Sequence, residues 1–358
     1  MAHELRRDDI PAWLRCRDPQ RLEQLWALAD QQRARSVGEC VHLRGLVEIS
    51  NHCVRSCAYC GISAGNSLLN RYRMSHAEIM ACANQAVAYG YGTLVLQAGE
   101  DPGLDADRVA ELVRAIKRET PLAVTLSLGE RALDECALWR EAGADRYLLR
   151  FETSDPELFA RIHPPRTASV SCDRIELLRA IKSLGYETGS GIMVGIPGQS
   201  YESLVRDLEF FLKLDLDMIG IGPWIEHPAR PMPAGSFPDA GGDQVPATEE
   251  MTCIVLALAR LICPDANIPS TTALATINSA QGRAHGLERG ANVCMPNLTP
   301  VQYRHLYDIY PDKAGSRHAP EESHRSVCAL LAALGRPAAR GPGGRRDRMN
   351  DLNRPARS

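Results

Sequence analysis

The sequence predicts a (β/α)8 barrel of the TIM type, with N-terminal capping helices and a C-terminal helical extension, and three observations carry that expectation. From about His42 to Tyr310, short apolar runs alternate with amphipathic helices, the pattern of a parallel sheet wrapped by helices. The length of 358 residues allows one large barrel or two smaller domains. No G-x-G-x-x-G follows any run, so an open doubly wound sheet ranks second. Gly189-Ser190-Gly191 precedes its strand and does not count.

Taken in order, residues 1–42 form a helical cap. Pro19 to Val37 places Leu22, Leu25, Trp26 and Ala29 at helical spacing. The strands of the barrel, residues 43–312, are expected at Leu46–Ser50, Thr93–Gln97, Ala123–Ser127, Arg146–Arg150, Gly191–Gly195, Met218–Gly222, Ile268–Thr272 and Ala291–Met295. Helices between them carry their own start signals. Ser75-His76-Ala77-Glu78 is a capping box. Asp105 precedes Val109, Leu112, Val113 and Ile116 on one face, Ser200 precedes Leu204, Leu208 and Phe211, and Thr248 precedes Met251, Ile254, Val255 and Leu258. His227 to Pro246, rich in Pro and Gly, reads as a loop or lid. Residues 313–335 form a C-terminal extension whose helix runs from about Glu321 to Leu334. Residues 336–358, with Arg336, Arg340, Arg345, Arg346 and Arg348 among Gly and Pro, read as a flexible basic tail.

Bulk composition excludes several classes. A net charge of −3 makes no general case for nucleic acid or an anionic membrane as partner. No apolar run is long enough to span a bilayer, and Met1 to Asp9 lacks the apolar core of a secretory signal. A cytoplasmic protein is expected, in which the 12 cysteines are thiols or metal ligands rather than disulfides.

The most informative stretch is Cys53-Val54-Arg55-Ser56-Cys57-Ala58-Tyr59-Cys60, directly after the first strand. Three thiolates on one short loop can hold three irons of a 4Fe–4S cubane, leaving the fourth open to a small molecule. A zinc site asks for a fourth nearby ligand. His52 is poorly placed for it, because neighbours on an extended chain point to opposite faces. Chance clustering of buried cysteines is the remaining alternative.

Chemistry in such a barrel sits at the carboxyl ends of the strands. Those ends hold the cysteine loop, Gln97 to Asp101, Ser127 to Glu130, Arg150 to Thr153, Met193 to Gly195, Gly222 to Trp224, Thr271-Thr272 and Met295 to Asn297. A cluster with one open iron at this rim suits radical chemistry with S-adenosylmethionine, whose methionine end chelates the open iron. Arg150 or Arg174 can pair the methionine carboxylate, and Glu152 can accept from ribose hydroxyls. Gly99 allows close backbone approach to the methionine amine. Tyr59 can lie against adenine.

The triplet, with an aromatic residue before its last cysteine, resembles the radical S-adenosylmethionine superfamily. Further segments resemble the maturases of FeFe-hydrogenases within it: Asn70-Arg71-Tyr72-Arg73-Met74, Val95-Leu96-Gln97-Ala98-Gly99-Glu100-Asp101-Pro102, Thr125 to Glu130, Gly143 to Arg150, Gly185 to Gly189, Met193 to Gln199, Asn292 to Asn297 and Tyr303 to Tyr307. The resemblance runs from about residue 43 to 312. It implies that Cys53, Cys57 and Cys60 hold one 4Fe–4S cluster, and that Tyr59, Gly99, Glu100, Ser127, Glu152, Arg174, Met295 and Tyr307 surround S-adenosyl-L-methionine. Gln97, Thr125, Arg150, Thr271 and Thr272 would face the substrate cavity. It further implies a small-molecule substrate, an iron carbonyl–cyanide complex carrying cysteine, whose sulfur the adenosyl radical attacks. Partner hydrogenase maturases and an electron donor are implied with it.

The chain departs from the resemblance in two places. Many members carry three further cysteines near the C-terminus for an accessory cluster, whereas Gly315 to Cys328 holds Cys328 alone, so no second cluster is expected. Phe151 stands where relatives often have His after the strand-four arginine. The rival readings are a sulfur inserter of the biotin synthase type, a mutase of the methylornithine synthase type, and a non-enzymatic cluster scaffold. For the first, Cys294 lies inside the last strand and Cys172 in an expected helix.

Overall fold

The structure, a computed structural model, describes residues 7–164, 173–229 and 241–345. Cys172, the centre of the expected lid and the last part of the basic tail lie outside the described residues. Seven strands form one parallel sheet: β1 His42–Ser50, β2 Thr93–Ala98, β3 Ala123–Ser127, β4 Arg146–Leu148, β5 Glu187–Val194, β6 Met218–Pro223 and β7 Val293–Cys294, in the order β6-β5-β4-β3-β2-β1-β7. Register is regular across the inner strands, with Leu46 opposite Val95, Val95 opposite Thr125, and Thr125 opposite Arg146.

The expected seventh strand, Ile268–Thr272, is not one. It is reduced to single parallel bridges, Met218 to Asn267 and Pro269 to Val293. The cause is local. Pro269 has no N–H to give a ladder. Thr271 acts as a helix N-cap, its Oγ1 accepting from Leu274 N at 3.3 Å to start the helix Thr272–Ile277. The segment nevertheless joins the two sheet edges. Ile219 N donates to Asn267 O (3.0 Å) and Asn292 N donates to Ile268 O (2.9 Å), which closes the barrel between β6 and β7.

Helix starts follow the sequence closely. The helix Pro19–Val37 is capped by Asp18, whose Oδ1 accepts from Gln20 N at 2.9 Å. Both halves of the Ser75–Glu78 capping box form, and Asp105, Ser200 and Thr248 each accept from their helix's first turn. The N-terminal helix packs against the helix Glu249–Ile262. Buried from Met251 to Arg260, that second helix is apolar on nearly every face. No helix among the described residues is long and apolar enough to cross a membrane.

The basic tail does not start at Arg336 as expected. Residues 336–345 cross the amino-terminal end of the barrel and form its floor. Ala338 bridges Val41. Gly341 lies so close to Gly92 that a Cβ on Gly92 would meet the Gly341 carbonyl oxygen at 1.8 Å. Pro342 O accepts from Thr93 Oγ1 (3.0 Å) at the start of β2 and from Arg146 Nη2 (3.1 Å) at the start of β4. Gly343 O accepts from Asn267 Nδ2 (3.0 Å), and Arg345 pairs with Asp215 at 2.6 Å. Composition alone suggests disorder here, but buried donors at the strand starts need acceptors, and this segment supplies them.

Inward and outward residues alternate along each strand. Arg44, Leu46 and Glu48 of β1, Val95 and Gln97 of β2, and Thr125 and Ser127 of β3 point inward. Leu43, Val47 and Ile49 pack outward into the hydrophobic core. Many inward positions are polar, and the barrel encloses a cavity of ≈ 540 Å³ rather than a filled core.

Candidate active site

The cysteine loop leaves β1 at Ser50 and is pinned to the end of β2. Val54 N donates to Glu100 O at 3.0 Å. Gly99 is needed here for space, because a Cβ would sit 2.4 Å from His52 O and 2.7 Å from Cys53 Cβ. Gly99 therefore packs against the cysteine loop itself. Gly99→Ala is expected to push the loop off β2 and to lower iron uptake on anaerobic reconstitution by about half or more. Full iron content in that variant would show that the loop shifts freely.

The three thiols influence one another electrostatically. Burial pushes the Cys57 thiol well up, with Cys60 and Cys53 adding to it, and pushes Cys60 up to about 12. Buried thiols of this kind ionise readily only when a metal takes the charge. The loop supplies three thiols, one for each of three irons of a cubane, and its donor set fits that ligation.

Behind the loop lies a buried polar cluster. Arg174, 7% exposed, donates to Glu130 Oε1 at 2.6 Å and to Arg150 O at 2.7 Å, and lies 3.5 Å from Glu100. Arg55 lies 3.3 Å from Glu130 and 3.8 Å from Glu100. Burial and the neighbouring Glu130 carboxylate hold Glu100 above the usual range, against the pull of Arg174 and Arg55. Tyr59 OH lies 2.6 Å from His163 Nε2 and 3.3 Å from Glu152 Oε1. Its ring meets Trp224 edge-on at 5.9 Å. Glu152 has φ +64°, a conformation a non-glycine residue holds at a cost and one that clusters at functional sites.

His163, Glu130 and Arg55 belong to this cluster without having been assigned a role from sequence. His163 Nδ1 is 3.2 Å from Cys57 Sγ. Burial, then Arg174, Arg55 and Arg150, hold its imidazole well below the ordinary range, so it is neutral. A lone His at the end of the short helix Pro156–Ile162 carries no sequence signal. Glu130 closes the rim segment after β3, and a carboxylate at a barrel mouth asks for a cationic partner, which is the signal that could have found it.

The remaining expected residues line the cavity. Gln97, Thr125, Ser127, Arg150, Thr271, Thr272 and Met295 are all in its wall. Cys53, Cys57, Cys60, Tyr59, Gly99, Glu100, Glu152 and Arg174 are not, and gather around the loop. Two contacts join the halves. Arg150 Nη2 is 3.1 Å from Glu152 Oε2, and Gly61 N donates to Ile309 O (3.1 Å), with Ile309 in the cavity wall. Tyr307 OH accepts from Gln97 Nε2 at 3.3 Å and so sits between them. The wall also holds Glu48 and Lys313, to which sequence reading gave no role. Lys313 Nζ donates to Glu48 Oε1 (2.7 Å), and Asn297 Nδ2 donates to Glu48 Oε2 (3.0 Å). Thr125 Oγ1 and Arg150 Nε are buried with no hydrogen-bond partner. Such groups are costly unless something else satisfies them.

A family model described as the radical SAM superfamily matches residues 47–211. The chain is 43% identical over 324 residues to the "[FeFe] hydrogenase maturase subunit HydE" of Thermotoga maritima, covering 90% of this chain and 89% of the relative. It is 30% identical over 295 residues to a 3-methylornithine synthase of Methanosarcina acetivorans, covering 81% and 79%. Among solved structures, methylornithine synthase superposes with a TM-score of 0.78 at 24% identity over 97% of both chains. The FeFe-hydrogenase maturase HydG of Carboxydothermus hydrogenoformans gives 0.75 at 16% identity, over 93% of this chain and 76% of that one. Both structural matches are likenesses of fold.

Proposed function

The chain belongs to the radical SAM superfamily and, within it, to the family of the hydrogenase maturase subunit HydE, and from that premise we propose that it acts in assembly of the FeFe-hydrogenase active site. It is a radical SAM enzyme, and the family implies a 4Fe–4S cluster and S-adenosylmethionine. Bound together, these supply one-electron cleavage of the sulfonium C–S bond.

Cys53, Cys57 and Cys60 hold the cluster in this reading. Glu152 accepts from ribose hydroxyls, and its strained backbone aims the carboxylate toward Tyr59. Arg174 is already paired with Glu130, so it serves the methionine carboxylate by sharing its charge rather than as an unspent cation. Gln97, Thr125, Arg150, Thr271 and Thr272 face the substrate, an iron carbonyl–cyanide complex carrying cysteine. The floor laid by residues 341–343 keeps water out of the far end. The observation that carries the reading is the cavity of ≈ 540 Å³ beside the cysteine loop, whose wall holds Gln97, Thr125, Arg150, Thr271 and Thr272. The Arg150 guanidinium in that wall suits an anionic substrate with acceptor groups.

A mutase acting on a free amino acid is the second reading, favoured by the likeness to 3-methylornithine synthase. Partner maturases, an electron donor and a cytoplasmic setting complete the proposal. The test is anaerobic incubation of the reduced protein with the partner maturase's product, followed by mass spectrometry. Adenosylated sulfur species are expected. Rearrangement of a free amino acid without them would transfer the assignment to the mutase.

A further inference from the structure

Arg71 spends its guanidinium on the loop that carries the three cysteines. Its Nη1 donates to Asn51 O and Ile62 O, both at 2.6 Å, and its Nη2 donates to Ser63 O (2.7 Å) and Asn66 O (3.1 Å). A guanidinium has five N–H groups in a fixed planar fork, and all four on the terminal nitrogens go to carbonyls here. The acceptors lie on both sides of the triplet. Asn51 is two residues before Cys53, and Ile62 is two residues after Cys60. One side chain therefore ties together the two ends of the loop.

Its own position is fixed from behind. Tyr72 N donates to Asn51 Oδ1 (2.7 Å), Tyr72 OH donates to Glu48 O (2.7 Å), and Asn51 Nδ2 donates to Asn70 O (2.8 Å). The other arginine of the motif, Arg73, is bound to Asp101 through two contacts of 2.7 and 2.8 Å and makes no such clamp. The guanidinium that bonds the chain on both sides of the triplet holds a fixed positive charge against the loop that carries the three thiolates. Such a charge favours the reduced, more negative state of what they hold.

We propose that Arg71 is a positioning residue for the cluster, clamping both ends of the cysteine loop and raising the cluster's reduction potential by its charge. The inference rests on the reading that Cys53, Cys57 and Cys60 hold the cluster.

Two variants of the full chain test it, Arg71→Met and Arg71→Lys, with two measurements. Hydrogen exchange on the metal-free protein reads the clamp. Amides between Cys53 and Asn66 are expected to exchange at least ~10-fold faster in Arg71→Met, with a smaller gain in Arg71→Lys, because opening becomes easier once the carbonyls lose their donors. EPR-monitored redox titration of the reconstituted protein reads the charge. Arg71→Met is expected to shift the reduction equilibrium about 10-fold toward the oxidised cluster, ~59 mV for a one-electron couple, while Arg71→Lys stays within about threefold of the unmutated protein. Iron uptake lost in Arg71→Met and kept in Arg71→Lys would equally support the role. Unchanged exchange in both variants would overturn the clamp, and an unchanged potential in Arg71→Met, or equal shifts in both variants, would overturn the electrostatic part. An unmutated protein that takes up no cluster would instead overturn the cysteine assignment, which the exchange experiment does not depend on.

Discussion

Cys53→Ala, Cys57→Ala and Cys60→Ala are each expected to lower reductive cleavage of S-adenosylmethionine by at least ~10³-fold, about 4 kcal/mol of barrier. In the proposed ligation each thiolate would tie a different iron, so losing one would leave a site unable to hold the cubane with a single open corner. No other cysteine among the described residues is placed to substitute. Cys16, Cys82, Cys136, Cys253 and Cys294 are buried in the hydrophobic core, Cys263 packs against it, and Cys40 precedes β1 at the end away from the loop. Cys328 is exposed on the helix Pro320–Ala333, 3.7 Å from His324 of the same helix. Cys328→Ala is therefore the control, with iron per chain and cleavage within about twofold of the unmutated protein. The measurement is 5′-deoxyadenosine formed per chain after anaerobic reduction, with iron determined on the same samples. Cleavage retained in all three variants would remove the triplet from the mechanism.

Arg174→Met is expected to destabilise the metal-free protein by about 3–5 kcal/mol at neutral pH, because it strands Glu100 and Glu130 as buried like charges. Arg174 is buried, and the carboxylates at 2.6 and 3.5 Å depend on it. Arg55 remains near both but at 3.3 and 3.8 Å. The sign of the pH dependence follows from the direction of the Glu100 shift. Burial and Glu130 already hold Glu100 above its ordinary value, and removing a cation moves it further up. A raised acid favours the fold while it stays protonated, and that contribution is lost as pH rises through the folded-state value. The variant's deficit should thus be smallest below the ordinary glutamate range, near pH ~4, and grow as pH rises through the raised folded-state value. Urea unfolding at about pH 4 and at neutral pH measures it. Adding Glu130→Gln to Arg174→Met should recover part of the loss, because the pair interacts directly. A deficit independent of pH would mean lost packing rather than stranded charge.

Legibility from sequence followed the range of each interaction. The cysteine triplet spans Cys53 to Cys60, so its spacing alone brings three thiols onto one loop wherever that loop lies. Caps are equally local. Ser75 with Glu78, Asp105 and Thr248 satisfy their own first turns, and the residues needed are adjacent in the chain. Strand positions came from apolar runs, which located all seven strands, long and short, and failed at Ile268–Thr272. There Pro269 and the capping Thr271 outweigh an apolar pattern too short to decide.

The strand–helix alternation, the helix starts and the cysteine loop could all be read from the chain, because each is written in residues a few positions apart. Part of what surrounds that loop could not. His163 reaches Cys57 from 106 positions away, and Lys313 reaches Glu48 from 265. Residues 336–345 return to floor a barrel whose first strand begins at His42. These contacts arise from closing the barrel, which brings distant segments together without leaving a period or a spacing in the chain.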